Sequence, residues 1–275
     1  MGQDIKRWYR KFNLDVDAET VKAAIANTTD PEVYTKISLA GPWTPPDVED
    51  LVGKTLTFRN EEHVYTFQFD GIHDVKFGDD GKEPQACYCN VKTLNNEVYF
   101  VNFLVPGYEW ARQITFIPDL KYGYATIVDA HFGTENSNID VSREFKFGKL
   151  DGEYEEGGEP HDFTDELIGT AIEWKYTERL MTIKHSYFCN LYYTYSALAP
   201  GGAWAATNPA NYTKVRNGLY IFSFVEERQA GLQGLFLIDL EKVHDIGCFF
   251  GVSADHLSSA CAGAKGKIAS TNTIF

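Results

Sequence analysis

The feature that most constrains this chain is that it repeats itself. Asp50-Leu-Val-Gly-Lys-Thr-Leu-Thr-Phe58 returns as Glu166-Leu-Ile-Gly-Thr-Ala-Ile-Glu-Trp174. Val98-Tyr-Phe-Val-Asn-Phe103 returns as Leu219-Tyr-Ile-Phe-Ser-Phe224. Ile117-Pro-Asp-Leu120 followed by Gly123 returns, one residue out of step, as Ile238-Asp-Leu240 followed by Gly247. The offsets are 116 from Gly53 to Gly169, 121 from Tyr99 to Tyr220 and 124 from Gly123 to Gly247. They drift slowly and keep their order, as duplicated units with loop insertions would. A fold for this chain must therefore be one that half of it can complete.

The repeated unit reads as short strands. Leu51–Phe58 alternates, and so do His63–Phe69, Ala86–Val91, Glu97–Phe103, Gln113–Ile117 and Tyr122–Val128. The runs are bounded by turn residues and evenly spaced, with no helical crossover long enough for a parallel sheet, so an antiparallel barrel or sandwich is expected. Aromatic residues make up 15% of the chain, with 19 Phe, 16 Tyr and 5 Trp against 2 Met. Rings of this kind favour strands and also line ligand cavities. The expected organisation is a helical arm and Pro-rich connector over 1–47, a first β-unit over 48–150 and a second over 161–275. In the arm, Asp17 is placed to cap a short helix with Val21, Ala24 and Ile25 on its apolar face, ending at Asn27 and Asp30-Pro31. Gly41–Pro46 reads as an extended connector. Residues 150–160, rich in Gly and Glu, read as a solvated linker.

Composition narrows the function. Lys and Arg number 25 against 39 Asp and Glu, a formal net charge of -14. So acidic a surface repels phosphate backbones and anionic bilayers, which argues against nucleic acid and membrane as partners. No run approaches a membrane span, and the start carries no apolar signal core. A cytoplasmic protein with reduced thiols is expected. Cys87, Cys89, Cys189, Cys248 and Cys261 are odd in number, and strand alternation is the simplest account of the Cys87-Tyr-Cys89 spacing. Asn27-Thr-Thr and Asn211-Tyr-Thr match a glycosylation pattern that, without secretion, is chance. His63, His73, His131, His161, His244 and His256 show no metal spacing, and Asp79-Asp80 reads as a turn. No nucleophile elbow, dinucleotide fingerprint or phosphate loop is present, so neither metal nor cofactor is expected.

The motifs Leu-Val-Gly-Lys, Glu-Val-Tyr-Phe-Val-Asn-Phe and, more closely, Tyr192-Tyr-Thr-Tyr195, Asn211-Tyr-Thr-Lys-Val215 and Gly247-Cys-Phe-Phe-Gly251 resemble the MoaF family, over roughly residues 48–252. That family comprises two-domain proteins named for molybdenum-cofactor biosynthesis. The resemblance implies an all-β fold of two tandem calycin, lipocalin-like antiparallel barrels behind the helical arm. The C-terminal half also resembles the phenolic acid decarboxylases, single calycin barrels that work without a cofactor. In that family a Tyr-x-Tyr, an Arg before a Trp and a central-strand Glu hold and protonate the substrate. Here Trp174-Lys-Tyr176 stands at the Tyr-x-Tyr and Phe222-Ser-Phe-Val-Glu226 supplies the acid. Ala203-Trp204 stands where Arg-Trp would be, so the charge that anchors a carboxylate is missing.

Strand alternation extends this reading. An inward Glu226 takes Phe224, Phe222 and Tyr220 with it, and an inward Tyr176 takes Trp174 and Ile172, leaving Glu173 and Lys175 in solvent. Met181, Ile183 and His185 share one face; Leu191, Tyr193 and Tyr195 share another. Glu226 among rings would have the raised pKa of a general acid, with Tyr176, Tyr193 and Tyr195 donating to an oxyanion. A shifted register would put Glu227 inside instead. His185 reads as wall or base, and Trp204 as lid or packing. The candidate site is thus Glu226 and Tyr176 as catalytic groups, with Trp174, His185, Tyr193, Tyr195, Trp204, Tyr220, Phe222 and Phe224 around a small hydrophobic or aromatic molecule. Three functions are open: a cofactor-free lyase, isomerase or cyclase of secondary metabolism, favoured by the acid among rings; a lipocalin-like carrier; and an accessory protein of molybdenum-cofactor biosynthesis. The only macromolecular partner left open is a second copy of the chain.

Overall fold

The computed structural model describes residues 18–30, 41–132, 141–178, 182–226, 231–253 and 255–271. Helix α1 (Ala18–Asn27) is short and buries Val21 and Ala24, the expected apolar face. Its proposed cap, Asp17, lies outside the described residues. Eight antiparallel strands follow: β1 (Thr55–Arg59), β2 (Val64–Phe69), β3 (Asp74–Asp79), β4 (Gln85–Thr93), β5 (Tyr99–Leu104), β6 (Arg112–Pro118), β7 (Tyr124–His131) and β8 (Ser142–Leu150). Each pairs with the next, and β8 returns to β1 through Phe58↔Leu150 and Arg59↔Lys149, closing the barrel. A two-residue strand β9 (Asp162–Phe163) leads into the second set: β10 (Ala171–Lys175), β11 (Thr182–Tyr187), β12 (Tyr192–Ala199), β13 (Gly202–Arg216), β14 (Leu219–Val225), β15 (Leu232–Asp239), β16 (His244–Ser253) and β17 (His256–Ser270). These close in turn through β17 on β10, and β9 adds to the outer edge of β13. Closure removes the sheet edges that would otherwise invite aggregation. Alternation alone did not single out β3 and β8.

The duplication is visible bond by bond. Gly53 and Gly169 both hold a left-handed φ (80° and 87°). Their N–H groups donate to Phe69 and Tyr187, and the N–H groups of Phe69 and Tyr187 donate back to Lys54 and Thr170. Between β6 and β7, Asp119 Oδ1 accepts the N–H groups of Lys121 and Tyr122; between β15 and β16, Asp239 Oδ1 accepts those of Glu241 and Lys242. This corrects one expected correspondence. The partner of Gly123 (φ 71°) is Val243 (φ 46°), not Gly247. Gly247 lies inside β16 opposite Phe236, where an added Cβ would fall 2.3 Å from the Phe236 ring.

Each barrel is filled by rings on its inward positions. The first holds Phe58, Tyr65, Phe67, Phe77, Phe103 and Phe116, with Phe67 stacked on Phe116 at 3.9 Å. Cys87 and Cys89 share that inner face, as alternation requires. The second holds Trp174, Tyr187, Tyr193, Tyr212, Phe222 and Phe236.

The barrels meet along strands that are apolar on both faces. Val98, Phe100, Ile117 and Val128 of the first pack against Leu219, Ile221, Leu235, Leu237 and Ile246 of the second, all buried. Strands covered on both sides read as continuous apolar runs, which is how Leu219–Phe224 and Leu235–Ile238 look. Asn102 and Gln113 inside this seam are paired across it. Asn102 donates to Ser259 Oγ and backbone O, and Gln113 donates to Ser259 Oγ at 2.7 Å. At its edge Arg216 grips Asp119 with two parallel N–H···O bonds and Glu97 with a third. Helix α1 covers the seam at one end, its Val21 and Ala24 against Phe132, Phe250 and Leu257. The connector is not extended throughout: Thr44 N–H donates to Gly41 O in a turn, and residues 45–49 then run without regular structure. Thr44 Oγ1 accepts from Gly263, and Asp47 takes Val91 N–H and Lys92, so the segment straps both barrels.

Asp119 is 1% exposed. Arg216→Ala would strand this carboxylate, and losing one partner of a buried ion pair costs about 3 kcal/mol or more. Urea unfolding should show that loss as a lower midpoint; an unchanged midpoint would mean that the pair contributes nothing at the seam.

Candidate functional site

The register divides the second barrel into a floor and a mouth. Floor residues are large. His185 on β11 lies among Tyr187, Tyr193 and Phe222, with ring centroids 6.1, 5.2 and 5.4 Å away. Phe222 and Phe224 stack at 5.4 Å. Small residues make this possible: an added Cβ at Gly234 would lie 2.4 Å from the Phe224 ring, and one at Gly266 would lie 2.6 Å from Trp174. Burial pulls the His185 imidazole down to about 3, so it stays neutral near pH 7. It sits as a wall residue with Tyr187 Oη 3.4 Å from Nδ1.

The mouth is built differently. Ile183, Ala199, Ala206 and Phe249 are partly buried around it, and Ala197 pairs with Trp204 across the β12–β13 hairpin. Trp204 is 37% exposed and belongs to strand β13. Glu226 follows β14 directly; its N–H donates to Leu232 O and its side chain is half-buried. Tyr195 Oη lies 3.4 Å from Glu226 Oε1. Glu227 and Met181 lie outside the described residues.

Not every expected neighbour belongs to this mouth. Tyr176 is inward, with Trp174 and Ile172, but its hydroxyl donates to Asp245 Oδ2 at 2.8 Å. Tyr220 shares the inner face of β14 but lies at its other end, donating to Glu166 Oε2 at 2.6 Å. Leu191 does not join Tyr193 and Tyr195 inside; it precedes the strand and is 54% exposed.

Asp245 was not anticipated. It is 1% exposed and accepts Tyr176 Oη at 2.8 Å and Ala264 N–H at 2.7 Å. Burial pushes its carboxyl up to about 8, against the pull of these two donors. Beside a turn, His244-Asp245 reads as a loop end. The signal that could have found it is its alternation with Gly247, Phe249 and Gly251 along β16.

Superposing the two registers shows where the duplicated barrels diverged. At the corresponding end of the first barrel, Arg112 donates to both oxygens of Asp129 (2.8 and 2.7 Å) and to Asp79 at 2.6 Å, while Lys146 reaches Asp129 and Glu144. Asp79 thus ends strand β3 in an ion pair, and the turn expected at Asp79-Asp80 begins only at Asp80 (φ 49°). Arg112, Asp129 and Lys146 correspond to Leu232, Phe249 and Ala262 of the second barrel. Val105 corresponds to Glu226 and Ala125 to Asp245. One barrel is plugged by a charged layer. The other is apolar at the corresponding positions, with the Glu226 carboxyl beside them among the described residues. Among the described residues no group of three or more His, Cys, Asp or Glu side chains gathers as metal ligands. No described helix is long and apolar enough to cross a membrane.

Two closed eight-stranded antiparallel barrels in tandem, each with a ring-filled interior, define a lipocalin-like double barrel. The chain belongs to the MoaF family: the MoaF N-terminal domain matches residues 41–134 and the MoaF C-terminal domain matches residues 161–272. Comparison with curated proteins finds no match.

The raised pKa of Asp245 makes a signed prediction. Below about pH 4 both folded and unfolded chains hold the proton, so the group is neutral to stability. As pH rises the unfolded chain ionises first while the fold keeps its proton up to about 8, so Asp245 destabilises the fold increasingly between those limits. Asp245→Asn removes this titration. Its melting temperature relative to wild type should climb between pH 5 and 8; a constant difference would refute the raised pKa.

Proposed function

We propose that the mouth of the C-terminal barrel takes up a small hydrophobic or aromatic molecule and that Glu226 acts on it as a general acid or base. The observation that carries this reading is the exchange of the charged layer of the first barrel for Leu232, Phe249 and Ala262, with Glu226 in place of Val105. A barrel of eight strands is just wide enough to be filled by side chains or to hold one small ligand. The rings from Trp174 to Phe236 fill the floor, so the ligand sits above them, between Tyr195, Trp204, Phe249 and the small side chains of Ala197, Ala199 and Ala206.

The chemistry follows from the polar groups within reach. Glu226 exchanges a proton with the ligand, and Tyr195 holds its carboxyl or donates to a developing oxyanion. His185, neutral and buried beneath, packs. Tyr176 is occupied by Asp245 and supports the floor; its role differs from the direct donor that the decarboxylase resemblance implies. The reaction class is a cofactor-free lyase, isomerase or cyclase step. A second reading, a carrier without turnover, is favoured by the same apolar mouth and differs only in what Glu226 does. A role in molybdenum-cofactor biosynthesis, which the family name implies, would require binding of a pterin phosphate, for which the sequence offers no basic cluster.

Two measurements separate these readings. N-phenyl-1-naphthylamine, uncharged and environment-sensitive, should bind the full chain with blue-shifted emission. Ala206→Leu, which narrows the mouth, should weaken it at least about 10-fold. Glu226→Gln should leave that binding nearly unchanged. Incubation with a panel of small aromatic and hydrophobic metabolites, followed by mass spectrometry, should give product with wild type and a loss of about 10²–10⁴ in rate with Glu226→Gln. Probe binding without any product points to the carrier. Equal turnover in Glu226→Gln ends the acid–base assignment, and no probe binding ends the site itself.

A further inference from the structure

A second concave surface lies outside both barrels. An open groove of about 900 Å³ runs between them, floored by Phe145 and Phe147 of β8, Phe163 of β9 and Val225 of β14. Phe163 meets Phe145 and Phe147 with centroids 5.2 and 5.1 Å apart, yet remains 51% exposed. An aromatic cluster so far open to water is an apolar surface with room for a partner.

Into this groove projects one unusual cation. Arg59, Arg112 and Arg216 each hold a carboxylate. Arg143, which lines the groove, alone among the described arginines has none. One Nη donates to Ser223 Oγ at 2.8 Å. The surrounding protein desolvates its guanidinium without compensating the charge, pulling its pKa down to about 10. At neutral pH it is still a cation, with most of its five N–H donors unclaimed by the described residues. Asn211, across the groove on β13, also makes no side-chain hydrogen bond to the described residues. One ladder step from Val225, Gln233 is fully buried with both amide atoms unpartnered.

We infer that the groove between the barrels binds a small amphipathic monocarboxylate, its carboxylate on Arg143 beside the Asn211 amide and its apolar body on the Phe145, Phe147 and Phe163 rings. A guanidinium presents paired donors that match a carboxylate, and such charge-assisted bonds are the strong ones. The charge count selects a monoanion over a phosphate. Lys146, the other fixed cation of the groove wall, is already committed to Glu144 at 2.7 Å and to Asp129. Glu62 and Glu144 on the rim repel a second negative charge. The aromatic floor selects a ligand with a ring or short acyl body over acetate-sized anions. This site is separate from the mouth of the C-terminal barrel and does not depend on catalysis there.

Calorimetric titration of the full chain with 1-naphthoate at low salt tests the assignment, with 1-naphthalenemethanol as the uncharged counterpart. Wild type should bind naphthoate at one site that depends on Arg143, and bind the alcohol at that site at least 10-fold more weakly. Arg143→Gln should weaken naphthoate at least 10-fold. Phe163→Ala, at a half-exposed ring whose removal leaves the core intact, should weaken it several-fold. Ala206→Leu, in the barrel mouth, should leave it unchanged. Wild-type affinity in Arg143→Gln, loss of binding in Ala206→Leu, or no naphthoate binding by wild type would each overturn the proposal. If Arg143→Gln misfolds by circular dichroism, Phe163→Ala with the alcohol comparison decides alone: an unaltered affinity there rejects the groove.

Discussion

The burial of the outer face of one barrel against the outer face of the other governs this molecule. In a lone barrel the inward positions are apolar and the outward ones are wet. Here Val98, just before β5, and Phe100, Ile117 and Val128 on β5, β6 and β7 point outward, and β14, β15 and β16 answer with Ile221, Leu235, Leu237 and Ile246. At roughly 25 cal/mol per Å² of apolar area removed from water, leaving either surface exposed would be costly. The seam also sets what is free. Strands committed to it cannot offer an outer surface to anything else, while β1 to β4 and β10 to β12 contribute no residue to its apolar cluster. The connector and α1 are held where they are because the seam has two rims to cover, one with Trp43, Thr44 and Asp47, the other with Val21 and Ala24.

Duplication followed by divergence explains why the halves do different things with the same register. A charged layer such as Arg112, Asp79, Asp129 and Lys146 is stable only when every member is paired, and here each is. Replacing Arg112, Asp129 and Lys146 at corresponding positions by Leu232, Phe249 and Ala262 leaves no network to break. Replacing Val105 by Glu226 adds a partly buried carboxyl. Asp245 in place of Ala125 is the opposite case: an acid sealed among rings, tolerable because it holds its proton and receives two hydrogen bonds.

The parts of the fold legible in the sequence were those set by local chemistry. Period-two runs marked β2, β4, β5, β6 and β7, and the left-handed glycines at 53 and 169 marked the start of each barrel. Strand β3 was obscured because Lys76 and Gly78 dilute its Val75-x-Phe77 alternation, and β8 because Phe145 and Phe147 point outward while Lys146 points inward, reversing the usual pattern. The seam itself was written in the two-sided runs Leu219–Phe224 and Leu235–Ile238, which read equally well as a buried core. At the site, alternation placed Phe222, Phe224 and Glu226 on one face but could not say how far apart along the barrel axis they lie, so Tyr220 and Tyr176 were grouped with a mouth they do not reach. Barrel stagger decides that distance, and stagger arises from closure, which no single strand encodes.

The end of β14 brings the two proposed sites within one strand of each other. Phe224 and Glu226 face the barrel interior, while Ser223 and Val225 between and beside them face the groove, with Ser223 Oγ holding Arg143. A strand has only one backbone, so a shift that moves Val225 outward also moves Phe224 and Glu226. Neighbouring restraints limit that shift: Glu226 N–H is fixed to Leu232 O, and Phe224 lies opposite Gly234, where no side chain opposes it. The Phe224 ring fills the space that a Cβ at Gly234 would otherwise occupy. Ser223, which holds Arg143, lies one residue from the floor rings Phe222 and Phe224 and three from Glu226. Strand β14 therefore carries side chains of the barrel interior on one face and of the groove on the other.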